Sequence, residues 1–234
     1  MKFLLVLFIL ILSTLAHATH NRFWLGQKKQ SISSYDFVDG LNQMFFQEAV
    51  KVGSGKGLDA YMPYVSQMKE GRPDEIALLI YETEEKYKTI RSTPEGKNYG
   101  ELHWMYFEKG NSSKSTVSIP FNGNLSVGGA FELNPAAIDW QAQQIHFFIY
   151  QNSGADLTAF VQNFQSLKSD STVYNSIILI TEKLIYEYRA VTSSDKIQMM
   201  ALNLPIVEYA KLQSSSAHEF RAVQPGQGIN FQFE

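Results

Sequence analysis

The chain has 234 residues, 44% of them apolar, with 20 Lys and Arg against 23 Asp and Glu and no cysteine. That composition excludes intrinsic disorder, a disulfide scaffold and a thiolate-ligated metal site. The slightly acidic balance also argues against nucleic-acid binding, which calls for a basic excess, so no nucleic-acid partner is expected.

Residues 1–18 read as a secretory signal. Lys2 supplies the positive start, residues 3–15 are almost continuously apolar, and Ala16-His17-Ala18 is a small-x-small cleavage signature. The apolar run is shorter than the about 20 residues that span a bilayer. Cleavage after Ala18, a secreted or periplasmic location and no membrane span in the mature chain are therefore expected. The absence of cysteine fits a bacterial exterior better than a small eukaryotic secreted domain.

Residues 23–27 read as a short strand. Ser33-Ser34-Tyr35-Asp36 matches a capping box, and Phe37, Leu41, Met44 and Phe45 then fall on one helical face. Gly53, Gly55 and Gly57 end that helix. The glycine loop lacks the Gly-Lys-Ser/Thr ending of a phosphate loop and reads as a connector. In residues 58–65, Leu58, Ala60 and Met62 alternate with Asp59 and Tyr61, a strand period. A turn at Gly71-Arg72-Pro73-Asp74 leads into a buried strand over 76–81. A helix from about Glu84 restarts at Thr93-Pro94, since Thr suits an N-cap and Pro the first helical position. Residues 116–121 close this half as a strand.

Residues 123–139, rich in Gly, Asn and Pro, read as a linker carrying one short strand around 130–133. The second half repeats the order: a strand over 144–150, a helix capped by Asp156, strands over 176–181 and 184–191, and a helix through Ile197, Met200, Ala201 and Leu204 stopped by Pro205. A last strand falls at 220–223 or 229–233. Each half is β-α-β-β-α-β, the ferredoxin-like plait, with one antiparallel sheet and both helices on one face. The expected fold is α+β: two tandem ferredoxin-like repeats, residues 19–122 and 140–234, joined by 123–139. Their sheets would pack together as an α/β barrel and bury both bare faces.

The stretch from Phe37 to Phe107 resembles the dimeric α/β-barrel superfamily, which includes antibiotic-biosynthesis-type monooxygenases and NIPSNAP-like proteins. The resemblance rests on Pro73-Asp74-Glu75-Ile76-Ala77-Leu78-Leu79-Ile80-Tyr81, on Tyr87, and on the helix from Thr93-Pro94-Glu95-Gly96-Lys97-Asn98-Tyr99 to Leu102-His103-Trp104. It covers about a third of the chain. It implies an internal barrel able to form a homo-oligomer, and it brings no catalytic signature with it.

His103 leads the candidate residues. Tyr99 and Phe107 stand four residues before and after it and share its helix face. A neutral imidazole there could serve as a base, as a hydrogen-bond donor, or as an axial ligand to haem. The plain alternative is a core histidine bonded to a backbone carbonyl. His146 lies in a strand and shares a face with Gln144 and Phe148. Tyr61, Tyr81 and Tyr99 are further ligand-binding candidates. Arg91 could meet an anionic ligand or pair with Glu84 or Glu95. Glu182-Lys183 reads as an exposed hairpin turn. Nucleophile-elbow, zinc-protease, Walker and dinucleotide motifs are absent, and neither a metal nor a cofactor is expected.

Three functions fit. The first is a non-enzymatic role, binding a small apolar or aromatic molecule between sheet and helices or serving as an interaction module. The second is a cofactor-independent oxygenase or isomerase using His103, which needs another polar group within reach of that ring. The third is a haem-binding barrel with His103 or His146 as axial ligand.

Overall fold

The computed structural model describes residues 19–113, 115–135, 138–152, 157–192, 204–216 and 220–233. The expected leader lies outside these residues, as do Asp156 and most of the helix expected over 197–204.

Strand β1 (His20–Gly26) is followed by one helical run in three pieces: α1 (Ser34–Gly40), a π-helical turn (Leu41–Phe45) and α2 (Phe46–Gly53). Strands β2 (Leu58–Val65) and β3 (Glu75–Tyr81) then precede helices α3 (Glu84–Ser92) and α4 (Pro94–Tyr106). Short strands β4 (Ser118–Pro120) and β5 (Ala130–Glu132) lead to β6 (Gln144–Gln151) and α5 (Leu157–Ser166). Strands β7 (Val173–Ile180), β8 (Leu184–Val191), β9 (Ile206–Lys211), β10 (Gln213–Ser216) and β11 (Gln227–Gln232) complete the chain. No described helix is long and apolar enough to cross a membrane.

The helix starts follow the local chemistry. Ser33 Oγ accepts the Asp36 N–H at 3.0 Å and donates to the Asp36 carboxylate at 2.7 Å. Thr83 and Thr93 cap α3 and α4 by accepting from the Lys86 and Gly96 amides, and Pro94 opens α4. The π turn corrects one expected face. Phe37, Leu41 and Phe45 are buried, but Met44 is 44% exposed. A π turn takes an extra residue, so the side chains beyond Leu41 rotate and Met44 swings out.

Two sheets form, in the orders β1-β3-β2-β11-β10 and β4-β5-β7-β8-β6-β9. β3 runs antiparallel to both β1 and β2, and Val117 bridges Arg22 on the outer side of β1. In the second sheet β7-β8-β6-β9 is antiparallel throughout. A bulge between Leu58 and Ala60 breaks the expected alternation of β2. It sends Leu58 to the helix side, while Ala60 and Met62 face the second sheet.

The sheets face each other across one core. Tyr64 meets Phe147 with ring centroids 4.4 Å apart, and the Tyr188 hydroxyl donates to the Ile76 carbonyl at 3.0 Å. A second core lies between the first sheet and α1 to α4, and a third between the second sheet and α5. The layers therefore run helix, sheet, sheet, helix.

The C-terminal segment departs from expectation. Residues 206–211, not read as a strand, form the edge beside β6, while β11 leaves the second half and joins the first sheet beside β2. Residues 220–223 form no strand. The reason lies in β2, whose outer backbone groups need a partner, and in Ile229 and Phe231, which complete the helix-side core. Asn42, in the π turn, clamps the approach to β11: its amide donates to the Val223 carbonyl and its oxygen accepts the Val223 N–H, both at 2.9 Å. Asn42→Ala leaves two buried backbone groups unpaired and should cost about 2–4 kcal/mol in chemical denaturation. A loss below about 0.5 kcal/mol would show that the clamp is dispensable.

Candidate functional site

The helix-facing side of the first sheet and helices α2 to α4 enclose a cavity of about 690 Å³. The alternation of β2 and β3 supplies Tyr61 and Tyr81 from below. The helical spacing of α4 supplies Tyr99 and His103 from above, and Arg91 comes from α3. All five of these sequence candidates line the same cavity.

His103 Nδ1 lies 2.9 Å from the Tyr99 carbonyl. A carbonyl can only accept, so Nδ1 carries the proton and Nε2 keeps a lone pair. Burial pulls the imidazole pKa down to about 4, with Arg91 adding to the fall and the Tyr99 carbonyl opposing it. The ring is therefore neutral near pH 7. It sits edge-on against Phe45, Trp24 and Tyr99, with centroids 4.8, 5.0 and 4.7 Å away. Phe45 reaches this position from the end of the π turn.

The Tyr61 hydroxyl is buried and faces the Tyr99 hydroxyl without a bond of normal geometry. Burial raises its pKa well above normal, and Tyr99 and Glu75 add to the rise. Burial also raises Tyr81, against the pull of Arg22 and Arg91. Arg91 pairs with neither Glu84 nor Glu95. Glu84 is taken by Lys88 at 2.8 Å. The Arg91 guanidinium instead lies over Gly100, where an added Cβ would stand 3.0 Å from both terminal nitrogens.

His146 does not join this group. It lies on the helix-facing side of the second sheet, across the inter-sheet core, and both ring nitrogens are engaged, with Tyr209 Oη at 2.8 Å and the Gln144 side-chain amide at 2.7 Å. Burial lowers its pKa to about 4 as well, helped by Lys211 and Arg189. Glu182 is exposed in the β7–β8 turn.

Sequence reasoning missed Glu75. This residue is 0% exposed, and neither carboxyl oxygen has a hydrogen-bond partner. Burial raises its pKa well above the usual carboxylate range, opposed only by the Trp24 indole N–H, which itself lacks a partner in normal geometry. A lone buried carboxylate is costly enough to be held as the neutral acid. The signal was present in the sequence. Strand alternation puts Glu75 on the face of Ala77, Leu79 and Tyr81, but reading the strand as starting at Ile76 left Glu75 in the turn. Tyr61 and Trp24 thus bring a buried hydroxyl and a buried indole N–H to the cavity lining, and Glu75, next to Trp24, is not part of that lining. Buried polar groups without partners are rare in native proteins and mark places where something else supplies the bond.

No family model matches the chain, and no curated protein matches it. Among solved structures, a presumed monooxygenase from Fusobacterium nucleatum subsp. nucleatum superposes with a TM-score of 0.44 at 8% identity, covering 76% of this chain and 77% of that one. A presumed monooxygenase from Lactobacillus acidophilus gives a TM-score of 0.39 at 6% identity, covering 82% and 91%. Both superpositions are too loose to carry a statement about this chain's reaction.

Proposed function

We propose that this chain is an exported protein that binds a small, largely apolar or aromatic molecule in the cavity between the first sheet and its helices. The observation that carries the reading is the cavity itself, about 690 Å³ with walls of Trp24, Phe45, Tyr61, Tyr81 and Tyr99. The Lys2-to-Ala18 leader supports export to the periplasm or exterior. The strand orders support the finer architecture. Val117-β1-β3-β2 and β9-β6-β8-β7 each follow the order of a ferredoxin-like plait, and the two sheets face each other as in an α/β barrel.

Binding is preferred over catalysis by His103. An oxygenase or isomerase would need a second polar group bonded to that ring. Among the described residues, the hydrogen bond at His103 is to the Tyr99 carbonyl and the remaining close contacts are aromatic rings. The haem reading is weaker still for His146, whose two nitrogens are taken.

Leu79, on the cavity floor, provides the test. Wild type should enhance the fluorescence of N-phenyl-1-naphthylamine saturably, with one probe per chain. Leu79→Trp, which fills space without removing a polar group, should weaken that binding about ten-fold or more while keeping a cooperative unfolding transition. Absence of saturable binding, or binding indifferent to Leu79→Trp, would overturn the proposal.

A further inference from the structure

We infer that the ligand of this cavity is an aromatic monoacid, its anionic head held between Arg22 and Arg91 and its ring system against the aromatic wall. This inference rests on the cavity reading above and names its ligand class. The first support is charge. The chain is net negative, yet the cavity is lined by Arg22, Arg91, Lys97 and Lys109 against one described acid, Glu101. Arg91, Lys97 and Lys109 are exposed and form the rim, with Arg22 more enclosed.

The second support is the placing of the two guanidiniums. Arg22 comes from β1 and Arg91 from α3. Arg22 Cζ stands 4.2 Å over the Tyr87 ring, which lies 5.1 Å from Tyr81. Arg22, Arg91 and Tyr81 all line this one cavity. Arg91 is left room there because position 100 is glycine.

The third support is that neither guanidinium has an ion-pair partner among the described residues; Glu84, the acid that Arg22 acts on, is bonded to Lys88. Arg22 donates to Ser115 Oγ at 2.6 Å and to the Ser115 carbonyl at 3.4 Å, and its Nη1 lies 3.3 Å from His20 Nε2, all neutral partners. Arg91 makes no hydrogen bond or ion pair with a described residue. Two guanidiniums without a described ion-pair partner at the mouth of an aromatic cavity match a carboxylate in charge and in fork geometry. The body is selected by Trp24, Phe45, Tyr61 and Tyr99, which favour a flat ring.

Calorimetric titration of the mature chain with 2-naphthoate and with its neutral isostere 2-naphthamide tests the inference. Wild type should bind the acid about ten-fold tighter than the amide at low salt, and the ratio should shrink in about 0.5 M salt. Arg22→Gln with Arg91→Gln should bring the ratio below about two-fold, the acid losing more affinity than the amide. If the double variant fails to fold, Arg91→Gln alone, at an exposed helix position, should lower the ratio about three-fold. Equal affinities in wild type would overturn the acid assignment and leave the cavity reading standing. A preference for acid that survives both substitutions would overturn the arginine assignment. Failure of wild type to bind either compound would overturn the cavity reading along with it.

Discussion

Arg189→Met should lower the stability of the chain by about 3–5 kcal/mol, the usual cost of removing one partner from a buried ion pair. Arg189 is 1% exposed and Glu187 0%. The guanidinium grips the carboxylate with two bonds, Nε to Oε1 at 2.7 Å and Nη2 to Oε2 at 2.9 Å. The Tyr150 hydroxyl and Ser176 Oγ each add a bond at 2.6 Å, and the guanidinium lies 4.8 Å over the Phe148 ring. Methionine fills much of the same volume. What it removes is the only positive charge bonded to that carboxylate among the described residues. Two neutral hydroxyls remain as donors, which is why the expected loss stays within the usual range. Urea denaturation should show a lower midpoint with an unchanged slope. In a double-mutant cycle with Glu187→Leu, the coupling should exceed about 1.5 kcal/mol, because the second change removes the stranded charge. A single-variant loss below about 1 kcal/mol would show that the carboxylate finds another way to be neutralised.

That ion pair also marks where the sequence was silent. In Leu184–Val191 the tyrosines at 186 and 188 alternate with Ile185 and Glu187, an ordinary strand period that singles out neither Glu187 nor Arg189. The strand is buried on both faces, with Tyr186 and Tyr188 toward the other sheet and Glu187 and Arg189 toward the helix side. Local periodicity reports which residues share a face. It does not report whether a second layer covers that face. Glu75 was lost at a boundary: with the strand read from Ile76, its parity with Ala77 and Tyr81 went unused.

What was legible depended on short-range chemistry. The caps at Ser33, Thr83 and Thr93 need only three or four residues of context. The cavity candidates were legible too, because helical spacing joined Tyr99 to His103 and strand parity separated Tyr61 and Tyr81 from the inter-sheet core. His146 obeyed its parity rule as well, sharing the face of Phe148, but on the other sheet. Placement of the C-terminal strands was beyond reach. The Asn42–Val223 clamp spans 181 residues, and no local pattern encodes a partner that distant. The same holds for β11, whose alternation fits either sheet and whose position is decided by an open edge on β2.

Glu75→Gln should stabilise the protein at alkaline pH and leave it nearly unchanged in acid. The folded-state pKa of Glu75 lies well above the ordinary 4.5 of a free glutamate. Between those two values the unfolded chain releases a proton that the folded chain keeps. Wild type therefore loses stability as pH rises through that window, by up to about 1.4 kcal/mol for each pH unit. Glu132, raised to about 7 mainly by burial, adds a loss of the same sign between its own two values. His103 and His146 act oppositely. Both are lowered to about 4 from 6.5, so the unfolded chain binds the extra protons and stability rises with pH across that range. The two trends offset each other below about pH 6.5, and above it the carboxyl losses stand alone. Glutamine keeps the shape and a donor but cannot ionise. Denaturation at about pH 4 should find variant and wild type within about 0.5 kcal/mol, and the variant's lead should then grow with pH by up to about 1.4 kcal/mol for each unit. The pH dependence is the diagnostic. A difference that stays constant from acid to alkaline conditions would mean that Glu75 is already ionised in the fold, and the reading of a neutral buried acid beside Trp24 would have to be withdrawn.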